Sequence, residues 1–354
     1  MSTWEKYLPV TVALCVLAGL FLSVAVPGLG HTIDSWQIRG ISVPIGICLF
    51  LMMYPALLNL QVTELRKLQK DPKPIYLSLF ANWIIAPIVH AVLARIFLAN
   101  EPQLAVALIL LGSSPCTAMV LVWGRMAGGN QEQNVINTSI NTVTIMFLYV
   151  PLVALLTGLQ GIPVDRGLLA ISAILFIGLP LVLGVISKRL IVGARGEDWF
   201  EHVYRPAVEK VAIAALLMTL VVLFSLNGQV LINNPGALVR ISVPLLIGFM
   251  LVLAYNLWVT RAAGLAYREG IITTIISSSS HFEIAIATAV AMYGVGSMAA
   301  LGTTMGLFWE VPIMLSLVYI AKALGRRNFW KGAARPATPG TPAGRTRREP
   351  QPGS

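Results

Sequence analysis

Charge is scarce in this 354-residue chain: Asp, Glu, Lys and Arg together make up 11% of it. Soluble domains carry about 25%. A soluble chain of this length would need far more polar surface to cover its core. A typical cytosolic enzyme and a disordered chain are both excluded. Cysteine is also scarce. The three present, Cys15, Cys48 and Cys116, are odd in number and lie inside apolar stretches, so no disulfide framework is implied. The sequence has no GxxxxGK[ST], HExxH or CxxC, and no GxGxxG following a strand. No ATP-driven pump, dinucleotide enzyme or zinc peptidase is indicated.

What the chain has instead is apolar length. Hydrophobic residues reach 56% and the mean hydropathy is +0.78. A spanning helix needs roughly 20 mainly apolar residues. Ten stretches qualify: about 7–26, 41–60, 75–99, 103–127, 134–159, 168–191, 208–228, 236–263, 270–294 and 298–324. The first follows a single basic residue, Lys6, and precedes no small-x-small cleavage site. It reads as a retained helix rather than a removed signal peptide. The organisation expected is a short N-terminus (1–6), a ten-helix membrane domain (7–325) and a disordered Pro- and Arg-rich tail (326–354).

Basic residues set the orientation. With ten spans, one side collects Lys6, Arg66, Lys67, Lys70, Lys73, Arg125, Lys188, Arg189, Arg195, Arg205, Lys210, Arg261, Arg268 and eight tail residues, 21 of the 25 Lys and Arg. The other side holds four: Arg39, Arg95, Arg166 and Arg240. Both termini are therefore expected in the cytoplasm of a cell (inner) membrane protein.

The fourth and ninth stretches are interrupted. Gly112-Ser113-Ser114-Pro115-Cys116-Thr117 breaks the fourth, because Gly and Pro unwind a helix. Ser277 to Ser280, followed by His281 and Glu283, breaks the ninth, because serine hydroxyls compete for backbone hydrogen bonds. Two breaks at the fourth position of each half of ten spans point to two inverted five-helix repeats with broken, crossing helices. Such paired breaks mark the midplane site of a secondary transporter.

Polar groups at membrane depth are functional or paired. Cys116 is a packing residue or a soft ligand for a thiophilic solute; its place beside Pro115 favours the ligand. Glu283 is a proton carrier, or an acid capped by Ser279 and Ser280 on its own helical face. Glu310, beside Pro312, is a second proton site or a partner for freed backbone, the structural role being favoured. His281, two residues from Glu283, would point elsewhere on a regular helix; a break could bring it in. His90, after Pro87, reads as satisfied locally. Asn82 and Asn141 bridge helices or line the cavity. Cys15 and Cys48 read as packing residues, although a three-thiolate site joining all three cysteines is conceivable. The candidate substrate-binding set is Cys116, Glu283, Ser114, Thr117, Ser280 and Asn141, with Glu283 and Glu310 for proton coupling, and Gly112, Pro115 and Ser279 at the helix breaks.

Five ordered stretches carry a family resemblance: Leu51 to Pro55, Asn82 to Pro87, Pro115 to Trp123, Phe282 to Ala287, and Glu310 to Leu315. With these the chain resembles the arsenite efflux permeases of the bile acid/sodium symporter superfamily over roughly 40–325. The resemblance implies a ten-helix, two-subdomain transporter exporting trivalent arsenic, and sometimes antimony, with Cys116 as the essential cysteine binding arsenic(III) as substrate and Glu283 as the essential glutamate. No cofactor is implied. The chain departs from the family at Ser280 or His281, where asparagine is common, and at Thr142, where an acid commonly follows the asparagine matching Asn141.

Three readings follow. The first is arsenite or antimonite export against protons. The second is a sodium-coupled organic-anion symporter of the same fold. The third is a non-transporting membrane protein, such as a sensor without a signalling domain or an intramembrane enzyme using Cys116 and His281.

Overall fold

The computed structural model describes residues 3–26, 35–38, 41–58, 72–117, 119–233 and 235–330. Among these, strand is confined to the two-residue pair Gln37–Ile38 (β1) and Ile41–Ser42 (β2), antiparallel. The rest is helical. The chain runs through α1 (Thr3–Ala25), α2 (Val43–Leu58), α3 (Lys73–Phe97), α4 (Pro102–Gly112), α5 (Met119–Ala127) and α6 (Gln131–Leu159). It continues through α7 (Arg166–Arg195), α8 (Arg205–Asn233), α9 (Pro235–Ala262), α10 (Tyr267–Ser277), α11 (Phe282–Tyr293) and α12 (Met298–Arg326).

Among the described residues, six segments are long and apolar enough to cross a membrane by length and composition: Lys73–Phe97, Gln131–Leu159, Arg166–Arg195, Glu197–Leu226, Gly236–Ala262 and Met298–Arg326. Shorter apolar helices are Val10–Ala25, Pro102–Gly112 and Phe282–Tyr293. Their outward faces are apolar. On α1 the exposed residues are Val10, Leu14, Leu17, Phe21 and Val24, spaced by fours and threes along one helical stripe. On α7 they include Ile171, Ile174, Val182, Ile186 and Leu190. A water-facing surface rarely carries such continuous apolar stripes; lipid accepts them. The chain is a multi-pass membrane protein.

Proline shapes three of the helices in the same way. π-helical turns occur at Ala81–Ile85, Ile174–Gly178 and Phe200–Tyr204. Each is followed two residues later by a proline: Pro87, Pro180 and Pro206. A proline in a helix removes one donor and presses on the carbonyl four residues earlier. That carbonyl belongs to Trp83, Phe176 or His202, the third residue of each π turn. Widening the turn accommodates the ring and lets the helix continue.

The helices pack as two groups. α1, α2, α7 and α8 lie mainly against one another, while α3 to α6 and α9 to α12 form the second group. The second group holds both broken helices. Contact between the groups is made chiefly by α11 against α2 and the start of α7.

At the end of the chain, α12 stops at Arg326 but the backbone stays on the bundle. Trp330 is buried, its indole N–H donates to Thr260 Oγ1 at 3.1 Å, and its ring meets Tyr267 edge-on at 5.5 Å. The Arg261 guanidinium lies over the Phe329 ring. A tail boundary at 326, drawn from composition, therefore cuts off two aromatic residues that pack. Residues 331–354 lie outside the described ones.

Candidate functional site

Two half-helices end at the centre of the second group. α4 stops at Gly112 and α10 at Ser277, and the extended residues that follow run past each other. Pro115 and Ser280 form an antiparallel pair. The bonds flank them reciprocally: His281 N–H donates to Ser114 O at 2.6 Å, and Cys116 N–H donates to Ser279 O at 3.3 Å. α5 and α11 then resume from the far side. Unwound backbone at this depth is tolerable only because each break supplies partners to the other.

Neighbouring helices take up what remains. Asn141 on α6 donates to Cys116 O at 3.1 Å and accepts from Asn82 Nδ2 on α3 at 3.1 Å. Glu310 on α12 accepts from the Ser279 hydroxyl, the Ser280 hydroxyl (2.5 Å) and the Ser280 N–H (3.2 Å). Asn256 on α9 donates to Ser277 O and to Ser278 Oγ, each at 3.2 Å. One polar residue on each of α6, α9 and α12 thus holds a break open.

Cys116 is buried at the crossing. Thr117 is buried beside it, its hydroxyl without a partner among the described residues. Ser114 turns its hydroxyl back to Leu111 O at 3.2 Å. Glu283, in the first turn of α11 where the helix dipole favours an anion, lies with Oε2 2.9 Å from His281 Nδ1. The two atoms are close, but no aligned hydrogen bond joins them.

Several expectations are corrected. Ser279 and Ser280 do not cap Glu283; their hydroxyls serve Glu310, 31 and 30 residues away. Residues 278–281 are unwound, so the helical spacing assumed for that cap does not exist there. The same unwinding brings His281 to Glu283. The three cysteines do not converge: no group of three metal-ligating residues occurs among the described residues, and none of the cysteines is in a disulfide. Cys15 and Cys48 are half-buried and Cys116 buried. Asn256 was missed, though a lone asparagine inside the apolar 236–263 stretch was the signal for it.

A cavity of about 20 Å³, room for a water or two, lies on one flank of the crossing between α3, α9 and both breaks. Asn82, His90, Pro115, Phe249 and the four serines Ser277 to Ser280 are among its lining. Neither Cys116 nor Glu283 lines it.

The model of the Sodium Bile acid symporter family matches residues 46–234. An uncharacterized transporter of Synechocystis is 37% identical over 351 residues, covering 93% of this chain and 90% of that protein. The arsenical-resistance protein Acr3 of Alkaliphilus metalliredigens is 35% identical over 341 residues, with 92% and 94% covered. The Acr3 of Corynebacterium glutamicum is 32% identical over 338 residues, with 93% and 91% covered. With its match to the family model and its near full-length likeness to these proteins, the chain belongs to the sodium bile acid symporter family.

Proposed function

We propose that this protein exports arsenite, and antimonite with it, from the cell in exchange for protons by alternating access. The observation that carries the reading is the placement of a buried cysteine, Cys116, at the crossing of two unwound helices, with Glu283 and Glu310 at the other break. Trivalent arsenic is thiophilic and a thiol is its natural ligand. Arsenous acid is a neutral triol, so it needs no charged cage; Thr117, Asn141 and Ser114 supply polar company beside Cys116. Glu283 gains and loses the coupled proton. The two Acr3 relatives, named for arsenical resistance, support the cargo.

Ten spans in two inverted five-helix units complete the reading. Two broken helices, α4–α5 and α10–α11, meet at their breaks, which fall in the fourth and ninth of the ten stretches, the same place in each half. The 21-to-4 basic split supports cytoplasmic termini in the inner membrane.

Growth of an exporter-deficient host on arsenite, antimonite and arsenate tests the cargo. Resistance to the two trivalent oxyanions, lost in Cys116→Ser, is the expected result; full resistance in that variant overturns the thiol role. Glu283→Gln is expected to abolish dependence on a pH gradient. A second reading, sodium-coupled uptake of an organic anion, is favoured by the family match itself. Sodium-dependent accumulation of a bile acid in vesicles would replace the first reading with this one.

A further inference from the structure

His90 is a buried titratable group that the transport reading does not use. It sits on α3 in a slot without room for any side chain at Gly112 of α4 or Gly248 of α9; a Cβ on Gly248 would come 2.7 Å from its Nε2. Its Nδ1 lies 2.8 Å from Ala86 O. A carbonyl only accepts, so Nδ1 carries the proton and Nε2 of the neutral ring is a bare acceptor. Nε2 has no hydrogen-bond partner among the described residues, and His90 lines the cavity.

The cavity has what a water needs, two to four polar partners. Nε2 accepts. The Ser277 hydroxyl is buried and has no partner among the described residues. Ser278 Oγ accepts from Asn256 and keeps its own proton to give. Ser279 and Ser280 line the same cavity, and both pass their protons on toward Glu310. No basic side chain pairs with Glu310 among the described residues.

We propose that His90 and Glu310 exchange a proton through water in this cavity and the hydroxyls of Ser279 and Ser280, a relay that passes through the crossing. The imidazolium Nε2–H bond breaks and its proton goes to the water. The water gives one of its protons to the serine oxygen, and the serine gives its own to the Glu310 carboxylate. Imidazolium and carboxylate become imidazole and carboxylic acid; nothing else is consumed, and reversal restores both. Around His90 stand Gly112, Gly248, Phe249 and its own Ala86, none ionisable. The ionisable neighbour of Glu310 is Glu283, which His281 accompanies. The relay rests on the proton-coupling part of the proposed function and deepens it.

Solid-state NMR of the ¹⁵N-histidine-labelled full chain in lipid bilayers tests the relay without any transported solute. The protein has four histidines, so His90 is assigned by difference. Expected is a neutral ring with Nδ1 protonated and Nε2 bare, as the bond to Ala86 O requires. A neutral ring with its proton on Nε2 leaves no acceptor for the water and overturns the relay even if arsenite export is real. Proton-driven flux gives the second arm. His90→Asn keeps a donor for Ala86 O but has nothing at Nε2, and it should slow flux at least about tenfold and flatten its pH profile. Wild-type flux and pH profile in that variant overturn the relay. If His90→Asn does not fold, the tautomer of the wild-type ring decides alone.

Discussion

Pro115 and Ser280 face each other as a non-hydrogen-bonded pair at the crossing of the two broken helices. In such a pair the ladder bonds belong to the flanking residues, here Cys116 with Ser279 and His281 with Ser114. Two consequences follow. The donor that proline lacks is not missed at position 115. The Ser280 N–H is left over from the ladder, and it goes to Glu310.

Removing one donor from Glu310 should cost stability. Ser280→Ala deletes the hydroxyl bond and leaves the backbone one, and a buried hydrogen bond contributes about 0.5–1.5 kcal/mol net. The melting temperature of the purified protein in detergent should fall for Ser280→Ala and for Ser279→Ala. In Glu310→Gln the further loss on adding Ser280→Ala should be much smaller than in the wild type. Equal losses in both backgrounds would show that the serine hydroxyls do not act through Glu310.

The Asn82–Asn141–Cys116 chain should behave as one unit. Asn141→Ala strips Cys116 O of a donor and Asn82 of an acceptor. Each buried orphan costs about 1–3 kcal/mol. Asn82→Ala should cost less, because it orphans only the Asn141 oxygen. A double-mutant cycle on melting should give a coupling of roughly 0.5–3 kcal/mol; strict additivity would mean the two amides act separately.

Cys116→Ser changes one atom in a buried site. The expected outcome is loss of arsenite resistance with the membrane level of the protein unchanged, read by growth and immunoblot together. A fall in protein level matching the fall in resistance would make Cys116 a packing residue.

Trp330 should matter for stability far from the site. Truncating a buried tryptophan costs about 3–5 kcal/mol, so Trp330→Ala should lower the melting temperature markedly. Gly270→Ala should do so too, since its Cβ would lie 2.5 Å from the indole nitrogen. Melting at the wild-type temperature in both variants would mean the aromatic pair does not hold the end of α12 to α9 and α10.

Much of this protein was legible in its sequence because the relevant physics is local. Twenty apolar residues in a row have few homes other than lipid. Gly112 with Pro115, and four serines from Ser277, disfavour helix within a few residues of themselves. Both breaks, and the acids and thiol beside them, could therefore be located without coordinates. The partners could not. Ser279 and Ser280 looked like caps for Glu283 because spacing on a continuous helix is the only geometry a sequence offers, and the helix is not continuous there. Which acid they serve depends on how α12 packs against the second break. The pairing of Pro115 with Ser280, the turn of His281 toward Glu283 and the bare nitrogen of His90 beside a cavity likewise arise between elements distant along the chain. Local composition determines where a helix must stop; only tertiary packing determines what each exposed donor and acceptor meets.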